Sequence, residues 1–495
     1  MVFSRRIGAL PRKSPASVPT RRSIGGLASF RVPPIREPNI PSSLTHTQGN
    51  SSAHSEPVAK FTQESTEQVN ETIEKALQAI PAWENMSFNN RAAIFLRAAE
   101  LVASKYRYDI MAATMLGQGK NIWQAEIDAA AETADFYRFN VHYASELYKQ
   151  QNTMNDAGIP FNFTAIGANL IAALAIMGNV VIWKPSDYAV YAGYLQKKIL
   201  EEAGLPENVI QFLPGDPKTA TDTMLECPEF AALHYTGSTE IFRDLYGQIA
   251  DGVRAGHYDS YPRIVGETGG KNFAVVHSSA DMRNAVVNTV RGAFEYQGQK
   301  CSATSRLYVS ESGRPEEFEN LMGPVIHERS FAKLANVIDD AKKDPSVTLL
   351  AGGTTSRESG WLVHPTIFQV QDASHSLMKN EFFGPILSVY VYPDSQFEET
   401  LAQVNKGTKF GLTGLFFAKD RSAIEVAERL LRHSAGNFYI NCKNSGAVVG
   451  HQPFGGSRAS GTNDKAMSSN LVARFVSITS IKEDFSARRG GCLSF

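Results

Sequence analysis

The sequence predicts an α/β fold of more than one domain, and three observations carry this prediction. Three long helical stretches come before any strong strand. From residue 179 onward, short strands alternate with helices, and a second strand–helix series follows Gly270. Such alternation is typical of a parallel sheet flanked by helices, the doubly wound arrangement. The 495 residues, 43% of them hydrophobic, suffice for two or three domains with sizeable cores.

The N-terminal helices are predicted from apolar spacing and from strong helix formers. From Thr66, apolar residues recur at intervals that place them on one face of a helix. These residues are Val69, Ile73, Ala76 and Ile80. Residues 91–106 and 124–150 have the same character. Residues 37–60, rich in Pro, Ser, Asn and His, are predicted to be a linker.

The strands are predicted from short runs of β-branched and aromatic residues. They lie at residues 179–184, 208–213, 230–235, 271–276, 306–309, 348–351, 385–392 and 475–480, with helices at 188–203, after Asp216 and from Gly237. Glycine and asparagine interrupt the most hydrophobic stretch, residues 165–183. A membrane span needs about 18 apolar residues. We therefore expect a buried helix followed by a strand here, and no membrane contact.

Charge is distributed unevenly along the chain. Residues 1–36 hold seven arginines, Lys13 and five serines, with no acidic residue before Glu37. This composition is typical of a mitochondrial transit peptide, which we favour because the basic residues are scattered. A disordered basic arm that contacts an anionic surface is the alternative. Without residues 1–36 the net charge is −9, which argues against a nucleic-acid partner.

The cysteine pattern argues against a metal site. Cys227, Cys301, Cys442 and Cys492 are widely spaced, with no C-x-x-C pair and no histidines at zinc spacing. We predict neither a structural metal nor a disulfide framework, which fits a reducing compartment.

Residues 294–306 carry the candidate nucleophile. Cys301 follows Gly298 and Lys300 and precedes three small residues, which let a substrate approach the sulfur closely. A neighbouring lysine favours the thiolate, the nucleophilic form. A free cysteine is more often a small buried hydrophobe, so this segment alone decides nothing.

Other motifs join it in a fixed order along the chain. They are residues 160–163 (Pro-Phe-Asn-Phe), 183–186 (Trp-Lys-Pro-Ser), 266–272 (Gly-Glu-Thr-Gly-Gly-Lys-Asn), 381–385 (Glu-Phe-Phe-Gly-Pro) and 453–456 (Pro-Phe-Gly-Gly). Together they resemble the aldehyde dehydrogenase superfamily. The longer runs at 115–120, 124–131, 261–272, 323–330 and 454–464 are similar to its mitochondrial Δ1-pyrroline-5-carboxylate dehydrogenase branch. The resemblance extends from about Pro57 to Glu483.

The resemblance implies NAD-dependent oxidation of L-glutamate γ-semialdehyde to L-glutamate in proline catabolism. Cys301 would attack the aldehyde to form a thiohemiacetal and then a thioester. The backbone N–H of Cys301 and the side chain of Asn162 would stabilise the oxyanion. Glu267 would activate the hydrolytic water, a task that favours a raised pKa. Another small semialdehyde, such as succinate semialdehyde, is the rival substrate.

The resemblance also implies the binding residues, although no G-x-G-x-x-G fingerprint is present. Those implied for NAD are Lys184, Gly237, Ser238, Thr239, Glu240, Ile241, Glu381 and Phe383. Those implied for the substrate are Lys300, Ser302, Gly446, Ala447 and Phe454. Residues 236–240 can present backbone N–H groups at a helix N-terminus to the pyrophosphate. Glu126 and Arg138 are expected to form structural salt bridges.

The implied architecture is a Rossmann-type cofactor domain, an α/β catalytic domain and a small oligomerisation sheet. We place the NAD-binding domain at 61–267, the catalytic domain at 268–465, the C-terminal oligomerisation segment at 466–488 and a tail at 489–495. A homo-oligomer in the mitochondrial matrix is expected.

Two segments of the family have no counterpart here. One, before Pro160, includes part of the first strand of the dinucleotide sheet near residues 152–159; the other lies between Ser310 and Met322. A missing strand leaves its neighbours unpaired, which would weaken folding and cofactor binding. An incomplete reading frame and a catalytically impaired paralogue explain the losses equally well.

Overall fold

The N-terminal part of the fold consists of a β-hairpin, a layer of helices and short parallel strands. The structure, a computed structural model, describes residues 45–149, 153–154, 159–161, 164–311, 323–358, 360–445 and 447–479. All of them lie within one unit, Pro34–Phe495. The predicted transit peptide, the tail and the segment between Ser310 and Met322 lie outside the described residues, except Glu311.

Helices dominate as far as Tyr148, and strands alternate with helices after it. The first elements are β1 (Thr45–Asn50), β2 (Ala53–Thr62), α1 (Thr66–Glu84), α2 (Phe88–Ala103), α3 (Arg107–Gln118), α4 (Ile122–Ala125), a π-helical turn (Glu126–Ala131) and α5 (Glu132–Tyr148). The next are β3 (Thr153–Met154), β4 (Ile159–Phe161), α6 (Thr164–Ala175), β5 (Val181–Trp183), α7 (Val190–Ala203), β6 (Ile210–Phe212), α8 (Pro217–Leu225), β7 (Ala232–Thr236), α9 (Thr239–Ala255) and β8 (Arg263–Glu267).

The C-terminal part is a second α/β unit. Its elements are β9 (Asn272–Val276), α10 (Met282–Phe294), a 3-10 turn (Glu295–Gly298), β10 (Thr304–Ser310), α11 (Glu328–Lys343), β11 (Val347–Ala351), β12 (Thr355–Ser356), β13 (Leu362–Val363), β14 (Thr366–Val370), α12 (Ser376–Lys379), β15 (Ile386–Tyr392), α13 (Phe397–Lys406), β16 (Phe410–Gly411), β17 (Thr413–Phe417), α14 (Arg421–Leu431), β18 (Asn437–Ile440), β19 (Ser457–Arg458), α15 (Ser469–Ala473) and β20 (Ile478–Thr479). The α/β fold class is confirmed.

The predicted linker is wrong over the part that the structure describes. Residues 45–62 form the antiparallel hairpin β1–β2. Gln48 of β1 is buried, and its amide nitrogen donates to the carbonyl of Tyr188 at 2.7 Å. Ala59 and Phe61 of β2 are also buried. These alternating inward residues signal a strand, but the polar composition around them hid the pattern.

Helix α6 is the buried centre of the N-terminal part, as its apolar sequence predicts. Every residue from 168 to 178 is buried. Arg91 of α2, itself 3% exposed, donates to the carbonyl of Ile176 at 3.1 Å, just beyond the end of α6. It also donates to Trp83 and Glu84 at the end of α1. A buried cation thus satisfies carbonyls that helix ends leave without intrahelical partners.

Two short parallel sheets form the predicted cofactor side. One has the strand order β4-β7-β8 and the other pairs β5 with β6. Ile159 of β4 pairs with Leu233 of β7, so a three-residue strand stands at the predicted gap. Among the described residues, no ladder joins β4 to β5. Within the described part of the chain, β4 therefore pairs with β7 and with no other strand.

A seven-stranded sheet with the order β11-β14-β15-β10-β9-β17-β18 forms the second unit. All its neighbours are parallel except β11, which runs antiparallel to β14. Phe273 and Val275 of β9 face one core, and Ala274 and Val276 face another. A sheet buried on both faces accounts for the continuous apolar runs of its strands.

The C-terminal strand pairs with residues near the start of the cofactor side. Ile478 pairs with Met154 and Thr479 with Thr153, in antiparallel register. This two-stranded sheet stands where an oligomerisation sheet was predicted. No helix among the described residues is both long and apolar enough to cross a membrane.

Candidate active site

One cleft of about 1340 Å³ brings together most of the described residues singled out from the sequence. Its walls include Gly237, Ser238, Thr239, Glu240, Glu267, Lys300, Cys301, Ser302, Glu381, Phe383, Ala447 and Phe454. These residues come from both α/β units, since β8 supplies Glu267 and the segment before β10 supplies Cys301. Asn162 and Gly446 lie outside the described residues.

A sharp change in chain direction presents Cys301. Helix α10 ends at Phe294, and the turn that follows has positive φ at Tyr296 (52°), Gln297 (55°) and Gly298 (63°). Left-handed backbone is costly for residues other than glycine. Burial of the Tyr296 ring and a 2.8 Å hydrogen bond from its hydroxyl to the carbonyl of Gln118 help to hold the turn.

Asn272, the first residue of β9, holds the loop that carries Cys301. Its side-chain amide donates to the carbonyl of Cys301 at 2.7 Å and to that of Ala303 at 2.8 Å. Its oxygen accepts from the N–H of Thr413 at 2.9 Å. One buried side chain thus ties the candidate nucleophile to β9 and β17. Its hydrogen-bonding capacity is used on both sides of the amide.

Lys300 favours the thiolate of Cys301 as expected, but burial and two carboxylates favour the protonated thiol more strongly. Burial, followed by the charges of Glu267 and Glu381, raises the pKa of Cys301 to about 12. Lys300 is bound by two carboxylates, with its ammonium 3.2 Å from Glu295 and 3.5 Å from Asp128. Its charge lowers the pKa of Cys301, but by less than burial, Glu267 and Glu381 raise it. The thiol requires a base to become nucleophilic.

Glu267 lies at the carboxyl end of β8, where a parallel sheet presents reactive groups. Burial raises its pKa to about 8, while the hydrogen bond from the N–H of Gly456 (3.1 Å) and the charge of Lys465 act in the opposite direction. A carboxyl group with this pKa can exchange protons near neutrality.

The far end of the cleft has the features of a dinucleotide site. Ser238 stands at the N-cap of the 17-residue helix α9, and its side chain makes no capping hydrogen bond. The first-turn N–H groups can therefore bind a pyrophosphate. Glu381 accepts from the N–H of Gly270 at 2.6 Å and is largely buried. A Cβ on Gly269 would clash with this carboxylate, so a larger residue there would displace the Glu381 side chain.

Two predicted cofactor residues are not placed on the cleft wall. The ammonium of Lys184 donates to the carbonyl of Pro185 at 2.6 Å and lies 3.4 Å from Asp187, so its own loop holds it. Burial lowers the pKa of Lys184, and Asp187 opposes this shift. Ile241, in the first turn of α9, is 54% exposed. Phe383, by contrast, lines the cleft with a positive φ of 57°.

The structure adds charged residues that sequence reasoning did not single out. Glu132, at the start of α5, lines the same cleft, and burial followed by the charge of Asp128 raises its pKa to about 8. Asp128 pairs with Lys120 and lies 3.5 Å from Lys300. The four-residue spacing of Asp128 and Glu132 could have indicated this pair from the sequence, because it places both carboxyl groups on one face of a helix.

Glu126 and Arg138 form the expected salt bridges. Glu126 pairs with Arg107 of α3. Arg138 lies 2.7 Å from Glu100 and 3.6 Å from Asp135. None of these groups lines the cleft.

Comparison with known proteins identifies the family to which this cleft belongs. The sequence profile of the aldehyde dehydrogenase family matches residues 41–481. The chain belongs to this family.

Several members of the aldehyde dehydrogenase family are similar to this chain over most of their length. A mitochondrial delta-1-pyrroline-5-carboxylate dehydrogenase from Emericella nidulans is 54% identical, over 90% of this chain and 84% of its own. The mitochondrial enzyme of that name from Homo sapiens is 45% identical, over 87% and 82%. Among solved structures, the delta-pyrroline-5-carboxylate dehydrogenase from Mycobacterium tuberculosis bound with NAD superposes with a TM-score of 0.84 at 40% identity, over 90% and 88%.

Proposed function

We propose that this aldehyde dehydrogenase oxidises L-glutamate γ-semialdehyde to L-glutamate with NAD, the oxidative step of proline catabolism. The observation that carries the proposal is the meeting of Cys301, Glu267 and the N-terminus of α9 in one cleft. The names of the relatives supply the substrate class. The overall reaction consumes aldehyde, NAD and water and yields the carboxylate and NADH.

The first step is nucleophilic attack by Cys301. The thiol, with its pKa raised to about 12, transfers its proton to the Glu267 carboxylate as the sulfur approaches the aldehyde carbon. A C–S bond forms and the carbonyl oxygen becomes an oxyanion. The N–H of Cys301 and the amide of Asn162 are proposed to donate to it. One such donor is typically worth roughly 2.7–4 kcal/mol in acyl transfer.

The cofactor site would hold NAD, whose nicotinamide would supply the acceptor for the hydride lost by the thiohemiacetal carbon. In this chain, the N–H groups of Ser238 and Thr239 would bind the pyrophosphate, next to Gly237, whose own N–H donates to the carbonyl of Glu267 at 3.1 Å. Glu381, fixed by the N–H of Gly270, would bind the nicotinamide ribose through its hydroxyls. The remaining cofactor residues proposed from the family are Lys184, Glu240, Ile241 and Phe383.

Hydrolysis of the thioester completes the cycle. Glu267 removes a proton from a water molecule, which attacks the acyl carbon, and the Cys301 sulfur leaves. A carboxylate in a buried site with a pKa near 8 is a stronger base than an exposed one. The same group serves both acylation and deacylation, provided that the proton taken from the thiol is released to solvent before the water is activated; the cycle releases two protons in all.

The substrate is proposed to bind by its amino acid end. The residues proposed from the family are Lys300, Ser302, Gly446, Ala447 and Phe454; among the described ones, all line the cleft. Glu132 adds a carboxyl group on the same wall, suited to an ammonium group once it is ionised. A substrate with both charges would be oriented with its aldehyde toward Cys301.

We further propose that residues 61–267 form the NAD-binding domain and residues 268–465 the catalytic domain. Targeting to the mitochondrial matrix by residues 1–36 is supported by their basic, acid-free composition and by the mitochondrial names of relatives. A homo-oligomer that uses residues 466–488 completes the proposal.

The proposal is tested by NADH formation from glutamate γ-semialdehyde and NAD. Cys301→Ala should abolish turnover, and Cys442→Ala, which removes another free cysteine, should leave it unchanged. Succinate semialdehyde is assayed alongside and should be the poorer substrate. Folded wild-type protein that binds NAD without turnover would refute the enzymatic claim and favour the impaired paralogue.

A further inference from the structure

The carboxylate of Glu295 joins two segments of the cleft that are far apart in sequence. Glu295 is the C-cap residue of α10 and lies six residues before Cys301. One of its oxygens accepts from Lys300, the neighbour of the nucleophile, at 3.2 Å. The other accepts from the Lys443 ammonium at 2.8 Å and from the Ser445 hydroxyl at 2.9 Å. These last two residues precede Ala447 of the cleft wall.

The contact is electrostatically strong. Although burial alone would raise it, Lys300, Lys443 and Ser445 lower the pKa of Glu295 to about 2, so the carboxylate is ionised at every physiological pH. Its side chain is only 19% exposed. A half-buried carboxylate that accepts from two ammonium groups is held far more firmly than a surface ion pair.

The residue between Lys443 and Ser445 is held by other hydrogen bonds, which do not involve Glu295. Asn444 is fully buried, accepts from the Thr304 hydroxyl at 2.8 Å and donates to the Thr413 hydroxyl at 2.9 Å. These bonds set the backbone at residue 444 relative to the sheet. Among the residues that the structure describes, the side chains of Lys443 and Ser445 bind to the nucleophile segment through Glu295. It therefore sets how the residues after 444 face the sulfur.

We propose that Glu295 is a positioning residue that determines specificity for aldehydes carrying a carboxylate. It holds Lys443 and Ser445 at a fixed distance from Cys301. These two residues lead directly into Gly446 and Ala447, which are proposed to bind the amino acid end of the substrate, where its carboxylate lies. Glu295 also compensates the charge of Lys300, together with Asp128. This inference rests on the proposed function. Loss of the Glu295 carboxylate would free the binding segment while leaving the nucleophile, the base and the cofactor site in place.

The test compares two aldehydes on wild-type protein and on Glu295→Gln, which keeps the shape and removes the charge. The substrates are glutamate γ-semialdehyde and butanal, an uncharged aldehyde. The ratio of their kcat/KM values should fall by about tenfold or more in the variant, mainly through KM, which is the scale of one lost charge-assisted hydrogen bond. Ser445→Ala should lower the ratio in the same direction by a smaller factor.

A matched control is available in α7. Glu201 also accepts from two lysines, Lys197 at 2.9 Å and Lys198 at 2.8 Å, but lies outside the cleft. Glu201→Gln should leave the ratio unchanged. NAD affinity and the thermal midpoint, measured on each variant, establish that the fold and the cofactor site are intact.

An unchanged ratio in folded Glu295→Gln would overturn the proposal, as would equal losses for both aldehydes, which would place the role at the nucleophile instead. Failure of the proposed function has a different signature. Wild-type protein would then show no preference for glutamate γ-semialdehyde over butanal, or no turnover at all.

Discussion

The side chain of Asn272 donates hydrogen bonds to the carbonyls of both Cys301 and Ala303, at 2.7 and 2.8 Å. A strand of the sheet thereby holds the nucleophile loop on both sides of the reacting residue. The loop position depends on this amide because the preceding turn is itself in a costly left-handed conformation.

Replacing Asn272 with alanine should impair turnover and stability together. Two buried carbonyls and the N–H of Thr413 would lose their partner. Each orphaned buried group costs roughly 1–3 kcal/mol. We expect a lower thermal midpoint and a kcat reduced by about tenfold or more, while NAD affinity stays near that of the wild type. Asn284→Ala, which removes an exposed amide bond to Asn441, is the control. Full activity in Asn272→Ala would contradict the account.

The pKa of Glu267, raised to about 8, predicts the pH dependence of turnover. The carboxyl group is neutral below this pKa and anionic above it, and only the anion acts as a base. The rate should therefore rise with pH through about 8. In Glu267→Gln this limb should disappear and kcat should fall by about 100-fold or more, the typical range of general acid–base catalysis. Persistence of the same limb in the variant would assign it to another group.

Gly269 provides a test of the proposed cofactor site. A methyl group there would lie 2.2 Å from the Glu381 carboxylate and would displace it. We expect Gly269→Ala to weaken NAD binding by about tenfold, as measured by calorimetry. Gly247→Ala is matched to it, because a Cβ at Gly247 of α9 meets nothing within 4 Å. Equal affinity in the two variants would remove Glu381 from the cofactor site.

Arg91 is predicted to support the fold and not the chemistry. Its guanidinium donates to carbonyls at the ends of α1 and α6 and, at 2.6 Å, to the hydroxyl of Tyr148. Arg91→Leu should destabilise the protein by about 3 kcal/mol or more, since hydrogen bonds to charged groups are worth roughly 1.5–3 kcal/mol each. Denaturation at the same ionic strength should show a much smaller effect for Arg138→Leu, whose ion pairs are exposed. Similar losses for both variants would contradict this role.

Local patterns in the sequence were sufficient for most of the fold. The spacing of Val69, Ile73 and Ala76 predicted the buried face of α1, which the structure confirms. The apolar run with glycine and asparagine predicted the buried helix α6 and strand β5. Both signals depend only on neighbours along the chain.

Features that depend on distant contacts could not be read in this way. The burial of Gln48 in the first hairpin requires Tyr188 and Tyr191, about 140 residues away. The sequence placed Lys300 beside the thiol, but it could not show that burial, Glu267 and Glu381 outweigh the effect of this lysine on the pKa of Cys301. Nor could it show that Asp128 reaches Lys300 from another element. The meeting of Glu295 with Ser445 spans 150 residues and leaves no local pattern.

The most direct test of the account is mass spectrometry of wild-type protein quenched with acid during turnover of glutamate γ-semialdehyde and NAD. Acid stops the hydrolysis that Glu267 catalyses and preserves the thioester. We expect a mass increase equal to the acyl group on the peptide that contains Cys301, absent from Cys301→Ala protein. Continued turnover without an adduct, or an adduct on another residue, would contradict covalent catalysis by Cys301.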